Sequence, residues 1–517
     1  MSLNTNQIFP EFDRQIELVK GWLQSRISSA CGYPSEIVVD RLTQRIVEIG
    51  LHPFTHAVSS LLTIPCAGTV LDCKAALLTV GAGRIGITVK QWLIHQLAFT
   101  LHWGLCLLTI LSPAKRWKNG SPAVLISGVG EESLFVDGND ARFIEFCRKG
   151  PIIPLSKGKR FIVQSPSNSI SSRPDELAYG RHPIIVLLNY SQLGIAERFL
   201  LAVAHFWLWF SYTLATLRSP VLSLLARDFA YARVMSALDQ RGLIDAVVLT
   251  CAVVQSQPLW QRVLKKAKTH MIWYAQNWKP VSYASDQAQS DLPSLRWIKV
   301  DTHWVWTRAF ANYLGSLGQI DTTREVVGPI MWYLPEERRQ LATDSIEIVV
   351  FDVPPYGDDV ALESGELPNY YSPSNLLRFV EDVVSIRAAI EEAHKLPVRF
   401  RLKTKRGYNV AYDRSYFDHL SQLGKSGTLL LEHHSTNVYS LVSSCHLVIA
   451  YPFTSAAYVA EFLKVPAVFY DPTGSIVRVD FTDEPSRCTF AGSLSALKKT
   501  AINALGVQLH LMSNSQA

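Results

Sequence analysis

A chain of 517 residues is more than one hydrophobic core fills, so two compact lobes are the first expectation. Apolar residues make up 48% of it and the mean hydropathy is +0.11, which excludes a polytopic transporter yet leaves room for partial membrane contact. The formal charge of +6 is spread along the chain rather than gathered into runs, which excludes a nucleic-acid footprint and fits anionic lipid or a phosphorylated substrate.

The first 22 residues carry acids and lack a basic segment followed by an apolar one, so no cleavable signal is expected. The eight cysteines form no CxxC pair, which points away from a zinc site or a disulfide framework and toward a reducing cytoplasm. Residues 1–92 read as a helical N-terminal region. Within it, Gly81-Ala82-Gly83-Arg84-Ile85-Gly86 has the GxGxxG spacing of a dinucleotide site. No Asp or Glu occurs between Cys73 and Gly130 to hold a ribose, so a glycine-rich helix entry is expected instead.

Residues 93–111 and 199–217 contain no charged side chain, and each as a helix would be about 28 Å long, close to the roughly 30 Å hydrocarbon thickness. Each alone could span a bilayer. Both cannot, because the segments between and after them would then fall on opposite sides. At least the second is expected to lie in the interface, as in a monotopic protein, with Lys115, Arg116 and Lys118 marking the cytoplasmic side. The competing reading is a pair of core helices.

From 120 to 340, strand-like runs alternate with helical ones: AVLISGV, RFIVQS, PIIVLLN, DAVVLTC, HMIWYAQ, LRWIKVD and REVVGPI. A second series follows at IEIVVFDV, VRFRLKTK, TLLLEHH, HLVIAY and PAVFYD. This alternation predicts an α/β protein with two Rossmann-like domains facing across a cleft, and ligands in such sheets bind beyond the strands' carboxyl ends. The expected organisation is a membrane-associated segment at 93–119, a first (acceptor) domain over 120–340 with an apolar insertion at 199–217, a nucleotide-binding domain over 345–500, and a tail from 501 to 517.

In the second series, Lys403, Lys405 and Arg406 close one strand, and Glu432, His433, His434, Ser435 and Thr436 close the next. Tyr451-Pro452-Phe453-Thr454-Ser455 closes a third and leads into a helix containing Glu461. Amide groups at such a helix start, with the Thr454 and Ser455 hydroxyls, make a phosphate cradle, although Ser and Thr also begin many helices as ordinary caps.

The run Pro452-Phe453-Thr454-Ser455, with MIWYAQNWKP, VWTRAF, VVGPIMWY, IVVFDVPPY and RLKTKR in order before it, closely resembles the bacterial PFTS-motif polysaccharide-biosynthesis proteins. The resemblance covers most of residues 120–475. It implies a glycosyltransferase of surface polysaccharide synthesis with a GT-B-like fold, distantly similar to the Kdo and sialic acid transferases that use CMP-sugars. In those relatives a His-Pro pair after one strand and a Ser-Ser or Ser-Thr pair after another hold the nucleotide. Thr454 and Ser455 match the second pair. The first is replaced by Lys403-Thr404-Lys405-Arg406, which leaves the nucleotide open, and Arg181-His182-Pro183 carries the dipeptide in the other domain.

Transfer then needs cations for the leaving phosphate, here Lys403, Lys405 and Arg406, with Glu432 and His433 positioned for ribose or base. A base for the acceptor hydroxyl is expected from Glu131 or Glu132 after AVLISGV, or from Asp301 and His303 after LRWIKV. Asp358-Asp359 reads as a solvated loop, so neither a metal nor another cofactor is expected. The expected partners are a nucleotide-sugar donor, a glycan or lipid-linked acceptor and the cytoplasmic face of the inner membrane, with no nucleic acid. A non-catalytic assembly protein or a nucleotide-sugar-modifying Rossmann enzyme are the alternatives, the latter lacking its Tyr-x-x-x-Lys pair.

Overall fold

The computed structural model describes residues 17, 19–27, 29–50, 78–81, 84–113, 122–128, 160–164, 172–173, 177–250, 257–274, 282–283, 298–316, 322–330, 341, 344–355, 371–409, 412–452, 454–477 and 488–516. Two small antiparallel pairs come first: β1 (Ser29–Ala30) with β2 (Tyr33–Pro34), and β3 (Leu78–Gly81) with β4 (Arg84–Ile87). Between them lies helix α1 (Ser35–Gly50). The pairing of Gly81 with Arg84 shows that the GxGxxG run turns a hairpin, so it is not the expected helix entry.

Two parallel sheets carry the rest. The first contains β5 (Ala123–Ser127), β6 (Arg160–Gln164), β7 (Ser172–Arg173), β8 (Leu177–Gly180), β9 (Ile244–Thr250), β10 (Lys268–Ile272), β12 (Thr302–Val305) and β13 (Thr323–Val326). Their order is β13-β12-β10-β9-β5-β6-β8-β7, every pair parallel except β7 with β8. The second sheet has β14 (Ile346–Phe351), β15 (Val398–Lys403), β16 (Leu430–Glu432), β17 (Leu447–Ala450), β18 (Ala467–Tyr470) and β20 (Cys488–Ala491) in the order β16-β15-β14-β17-β18-β20. In both sheets the chain starts at the centre, winds to one edge, then returns to the centre and winds to the other. That is the doubly wound pattern, and the two-domain α/β class expected from the sequence is the one observed.

The central strands β5, β17 and β18 are apolar without alternation because both sheet faces are covered there. Every residue of β5, β17 and β18 is buried. A single apolar cluster takes Val124, Val248 and Trp306 from the first domain and Phe351, Val448 and Tyr458 from the second. A short antiparallel pair, β11 (Ser282–Tyr283) with β19 (Ile476–Val477), also joins them.

Two of the expected strands need correction. PIIVLLN is helix α3 (Pro183–Asn189): Pro183 at its start suits a helix, and burial on nearly all sides erases the periodicity that separates helix from strand. The strand expected at LRWIKVD is THWV instead. The Gln257 side chain donates to the Lys299 carbonyl (2.6 Å) and accepts from its amide (2.8 Å), taking the groups a neighbouring strand would use, and the ladder begins at Thr302.

The two uncharged segments form helices α2 (Val89–Leu111) and α4 (Ile195–Arg218). Both are long and apolar enough to cross a membrane. They pack antiparallel, with Gln96 on Thr216 (2.7 Å) at one end and Arg198 on the Ile110 carbonyl (3.0 Å) at the other. Midway, the Trp103 indole donates to the His205 carbonyl (2.7 Å), and His205 Nε2 donates to the Trp103 carbonyl (3.0 Å).

Neither helix crosses a bilayer in this arrangement. Before α2, Arg41 of α1 pairs with Asp228 of α5 (Ala226–Gln240). After α4, the chain enters β9 beside β5 of the same sheet. Chain on both sides of each helix thus belongs to one domain, which a spanning 93–111 would divide. Each helix instead buries one face and exposes the other, with Leu97 71% and Trp207 67% exposed among a stripe of large apolar side chains.

Arg198 is the main polar tie of this hairpin, donating also to the carbonyls of Ser112 (2.6 Å) and Leu188 (3.1 Å) and to Ser191 Oγ (3.0 Å). Several charge-assisted bonds are lost together on truncation. Arg198→Ala should therefore lower stability by about 2–4 kcal/mol in denaturant titration, and Arg198→Lys, lacking the fork, should recover only part of it.

Candidate functional site

The second sheet reverses its winding between β14 and β17, and the register brings three strand ends level there. Phe351 lies opposite Lys403 on one side and Ala450 on the other, and the Tyr451 amide donates to the Phe351 carbonyl (2.8 Å). Asp352, Thr404 and Tyr451 therefore begin the rim together. Connections from β14 and β17 leave in opposite directions at this point, which opens a crevice.

Helix α12 (Ser455–Phe462) starts from this crevice, with Thr454 as its N-cap. The Thr454 side chain does not make the usual bond to the helix amides. Its residue is 8% exposed, and Oγ1 is buried with no hydrogen-bond partner among the described residues. An unsatisfied buried hydroxyl is costly, on the order of 1–3 kcal/mol. Ser455 is half-buried beside it, whereas Glu461 stands on the last turn, about 9 Å along the axis by helical rise. Glu461 is thus held away from the cradle where it was expected to serve.

On the β15 side, Lys403 is buried and Lys405 and Arg406 are exposed, with Arg406 bonded to the Tyr412 hydroxyl (3.1 Å). Asp352, which the sequence reading passed over, is the centre of this group. It is 1% exposed, accepts from the Lys405 amide (3.1 Å), and takes a short hydrogen bond from the Tyr416 hydroxyl. Burial pushes its carboxyl up to about 7, against the lowering effects of Tyr416, Lys405 and the Lys403 ammonium. Burial likewise lowers Lys403, with Asp352 opposing. For both groups desolvation outweighs mutual attraction.

At the β16 end, Glu432 is taken up by Arg401, whose Nε lies 2.7 Å from Oε1, so its carboxylate is not directed to a ribose. His433 and Ser435 are exposed, with His433 Nδ1 2.6 Å from Ser435 Oγ, and the Thr436 amide closes the turn on the His433 carbonyl (2.9 Å). A Cβ on Gly407 would fall 2.8 Å from His434 Nδ1, so a side chain there would have to displace the His434 ring.

From the first domain, Trp306 stands just beyond β12 with its ring edge-on to Tyr458, centroids 6.2 Å apart. Tyr458 follows Thr454 by one helical turn. The Trp306 Nε1 is also buried with no partner among the described residues. The first sheet reverses between β5 and β9, where Gly128 takes φ +88° and its carbonyl accepts from the Thr250 hydroxyl (2.8 Å). Glu131 and Glu132 follow this turn in sequence and lie outside the described residues, as do Asp358 and Asp359.

Asp301 and His303 are not in a loop beyond a strand, as had been expected. Asp301 precedes β12 at its amino end and accepts from the Thr269 amide (2.7 Å) and hydroxyl (2.8 Å). His303 lies within β12 with no exposure, its Nδ1 accepting from the Trp273 indole (3.1 Å). Both serve the interior and the far edge of the sheet.

Residues 203–500 match the family described as polysaccharide biosynthesis PFTS motif protein. The chain belongs to this family. Among curated proteins none matches it. Among solved structures, wall teichoic acid polymerase TagF is similar at 12% identity over 82% of this chain and 91% of that one, with a TM-score of 0.38. The lipopolysaccharide outer core galactosyltransferase WaaB is similar at 9% over 75% and 91%, TM-score 0.36. Trehalose-6-phosphate synthase OtsA is similar at 12% over 76% and 96%, TM-score 0.35.

The raised Asp352 carboxyl has a defined effect on stability. Between its ordinary 3.8 and about 7 the folded chain holds this proton more tightly than the unfolded one, so stability declines as pH rises through that window. Thermal denaturation across pH 4.5–8 should show this slope in the native protein and a flatter one in Asp352→Asn.

Proposed function

We propose that this PFTS-family protein is a glycosyltransferase that holds a nucleotide-sugar at the β14/β17 rim and transfers its sugar to an acceptor held by the first domain. The observation that carries the reading is the buried Thr454 hydroxyl left without a partner among the described residues, at a helix start on the rim where the winding reverses. A phosphate oxygen there would accept from that hydroxyl and face the positive end of α12, which removes the cost of leaving the hydroxyl unpaired.

In the reaction the bond between the anomeric carbon and the donor phosphate breaks, and its electrons leave on the phosphate. A bond forms from the acceptor oxygen to that carbon, and the acceptor proton passes to a base. Lys405 and Arg406 are placed to stabilise the leaving phosphate, and Asp352 fixes the Lys405 backbone. With its carboxyl raised, Asp352 can sit beside an anion without adding a second negative charge. Ser455, His433, Ser435 and Thr436 complete the rim toward ribose and base. Glu131 or Glu132, which follow the reversal strand of the first domain, are the proposed source of the acceptor base. Fixed cations can serve the leaving group without a metal.

Thr454→Val tests the cradle directly, because it keeps the shape and removes the hydroxyl. The variant should melt higher than the native protein when nucleotide-free, by roughly 1 kcal/mol of stability, and bind CMP, CDP or UDP about tenfold more weakly. Lys405→Ala should weaken binding by one to two decades, on the order of the 1.5–3 kcal/mol of a charge-assisted bond. Calorimetry showing native affinity in both variants would place the donor elsewhere.

The same proposal puts the exposed face of the α2/α4 hairpin into the cytoplasmic leaflet, since apolar stripes of this extent mark a contact surface. The protein should sediment with membranes and be released by detergent. Leu97→Glu with Trp207→Glu, both at exposed positions, should move it to the soluble fraction without lowering its melting temperature, and continued sedimentation of that variant would remove the hairpin as the anchor.

A further inference from the structure

Where the hairpin meets the first sheet, α2, α3 and α5 bring together side chains that the donor rim does not use. The Tyr231 hydroxyl on α5 lies 2.9 Å from His102 Nδ1 on α2 and 3.1 Å from His182 Nδ1 at the cap of α3. Arg227 hydrogen-bonds the same phenol. An arginine only donates and the phenol has one proton, so Tyr231 accepts from Arg227 and from one imidazole and donates to the other. One imidazole therefore carries its proton on Nδ1 and the other on Nε2, which leaves one accepting and one donating Nε2.

The field at this corner is positive. The formal charges acting on the two imidazoles are Arg227 and Arg181, both exposed, and no carboxylate is among them for the described residues. Asp228, adjacent in sequence, is turned to Arg41 and to the Leu259 amide. Burial first and the arginines second lower both imidazoles, His102 to about 4, so they stay neutral and the arginines supply the charge. His182 follows the carboxyl end of β8, and α2 carries the exposed Leu97, Leu101 and Leu108 alongside. A cationic, hydrogen-bonding corner beside an exposed apolar stripe matches a molecule with an anionic head and an apolar tail.

We propose that Arg181, Arg227 and whichever imidazole of His102 and His182 has the donating Nε2 bind the phosphate group of a membrane-held amphiphile, the anchor of the acceptor, while Tyr231 holds both imidazoles in place. This deepens the transferase reading and rests on it. Phosphate could also come free from solution, and the lipid-borne form is favoured because the corner adjoins the apolar stripe.

The full chain in a non-ionic detergent, titrated with dodecyl phosphate, dodecanol and inorganic phosphate, tests it. Dodecyl phosphate should bind, and Arg227→Gln and Arg181→Gln should each weaken it about tenfold. Arg227→Lys should retain most of the affinity, and inorganic phosphate should bind far more weakly. His182→Gln, at a half-exposed cap, replaces any arginine variant that melts early. Equal binding of dodecanol and dodecyl phosphate, or indifference to the glutamine variants at native melting temperature, overturns the proposal. Inorganic phosphate binding as tightly as dodecyl phosphate, with the same arginine dependence, makes this a free-anion site and overturns the lipid assignment. Nucleotide affinity in the same samples reports on the donor rim separately: its absence in the native protein defeats the transferase reading, whereas its persistence in variants that lose dodecyl phosphate isolates the corner.

Discussion

The parallel pairing of β14 with β15 on one side and β17 on the other is the constraint from which the rest of the second domain follows. Right-handed crossovers send the chain after β14 and after β17 to opposite sheet faces, so the two connections diverge and a crevice opens between them. The side chains that line the gap then lose water without gaining full pairing. Asp352 and Lys403 are both shifted toward neutrality by burial, and the Thr454 hydroxyl has no partner among the described residues. Groups of this kind weaken a core, and their concentration at one rim marks a place selected for something other than stability.

Much of this arrangement was legible in the sequence because buried parallel strands are written as short, nearly continuous apolar runs. IEIVVF and LVIA could hardly be read otherwise, VRFRLK shows its strand by alternation instead, and the polar residues that follow all three had to fall on one rim. The misreadings arose where tertiary contacts replaced local pattern. PIIVLLN has the composition of a strand, and only its burial among α2, β6 and β8 makes it a helix. LRWIKVD has the apolar pattern of a strand, but the backbone of Lys299 is bonded by the side chain of Gln257, 42 residues earlier, instead of by a neighbouring strand.

Asp352 was missed for a similar reason. In FDVPP an acid before two prolines reads as the start of a turn, and nothing local says that Tyr416, 64 residues on, closes over it. The one available signal was its place immediately after the first strand of a doubly wound series. Glu432 was misjudged in the opposite sense: its strand-end position is as expected, but Arg401, two residues before the buried Lys403 on the adjacent strand, claims its carboxylate.

The reciprocal bonds between Trp103 and His205 have a mechanical consequence. Each aromatic residue holds the other's backbone, so α2 and α4 cannot slide past one another without breaking two hydrogen bonds at once. Helix α4 lies on the chain's own route from β8 to β9, and among the described residues α2 is the last helix before β5, which ties the pair to the centre of the first sheet. It therefore acts as a strut rather than a tether. A protein resting on such a strut keeps its first sheet at a set height and tilt above whatever the apolar face lies on, so reach toward that surface is fixed by the fold and must be matched by the length of what it grips.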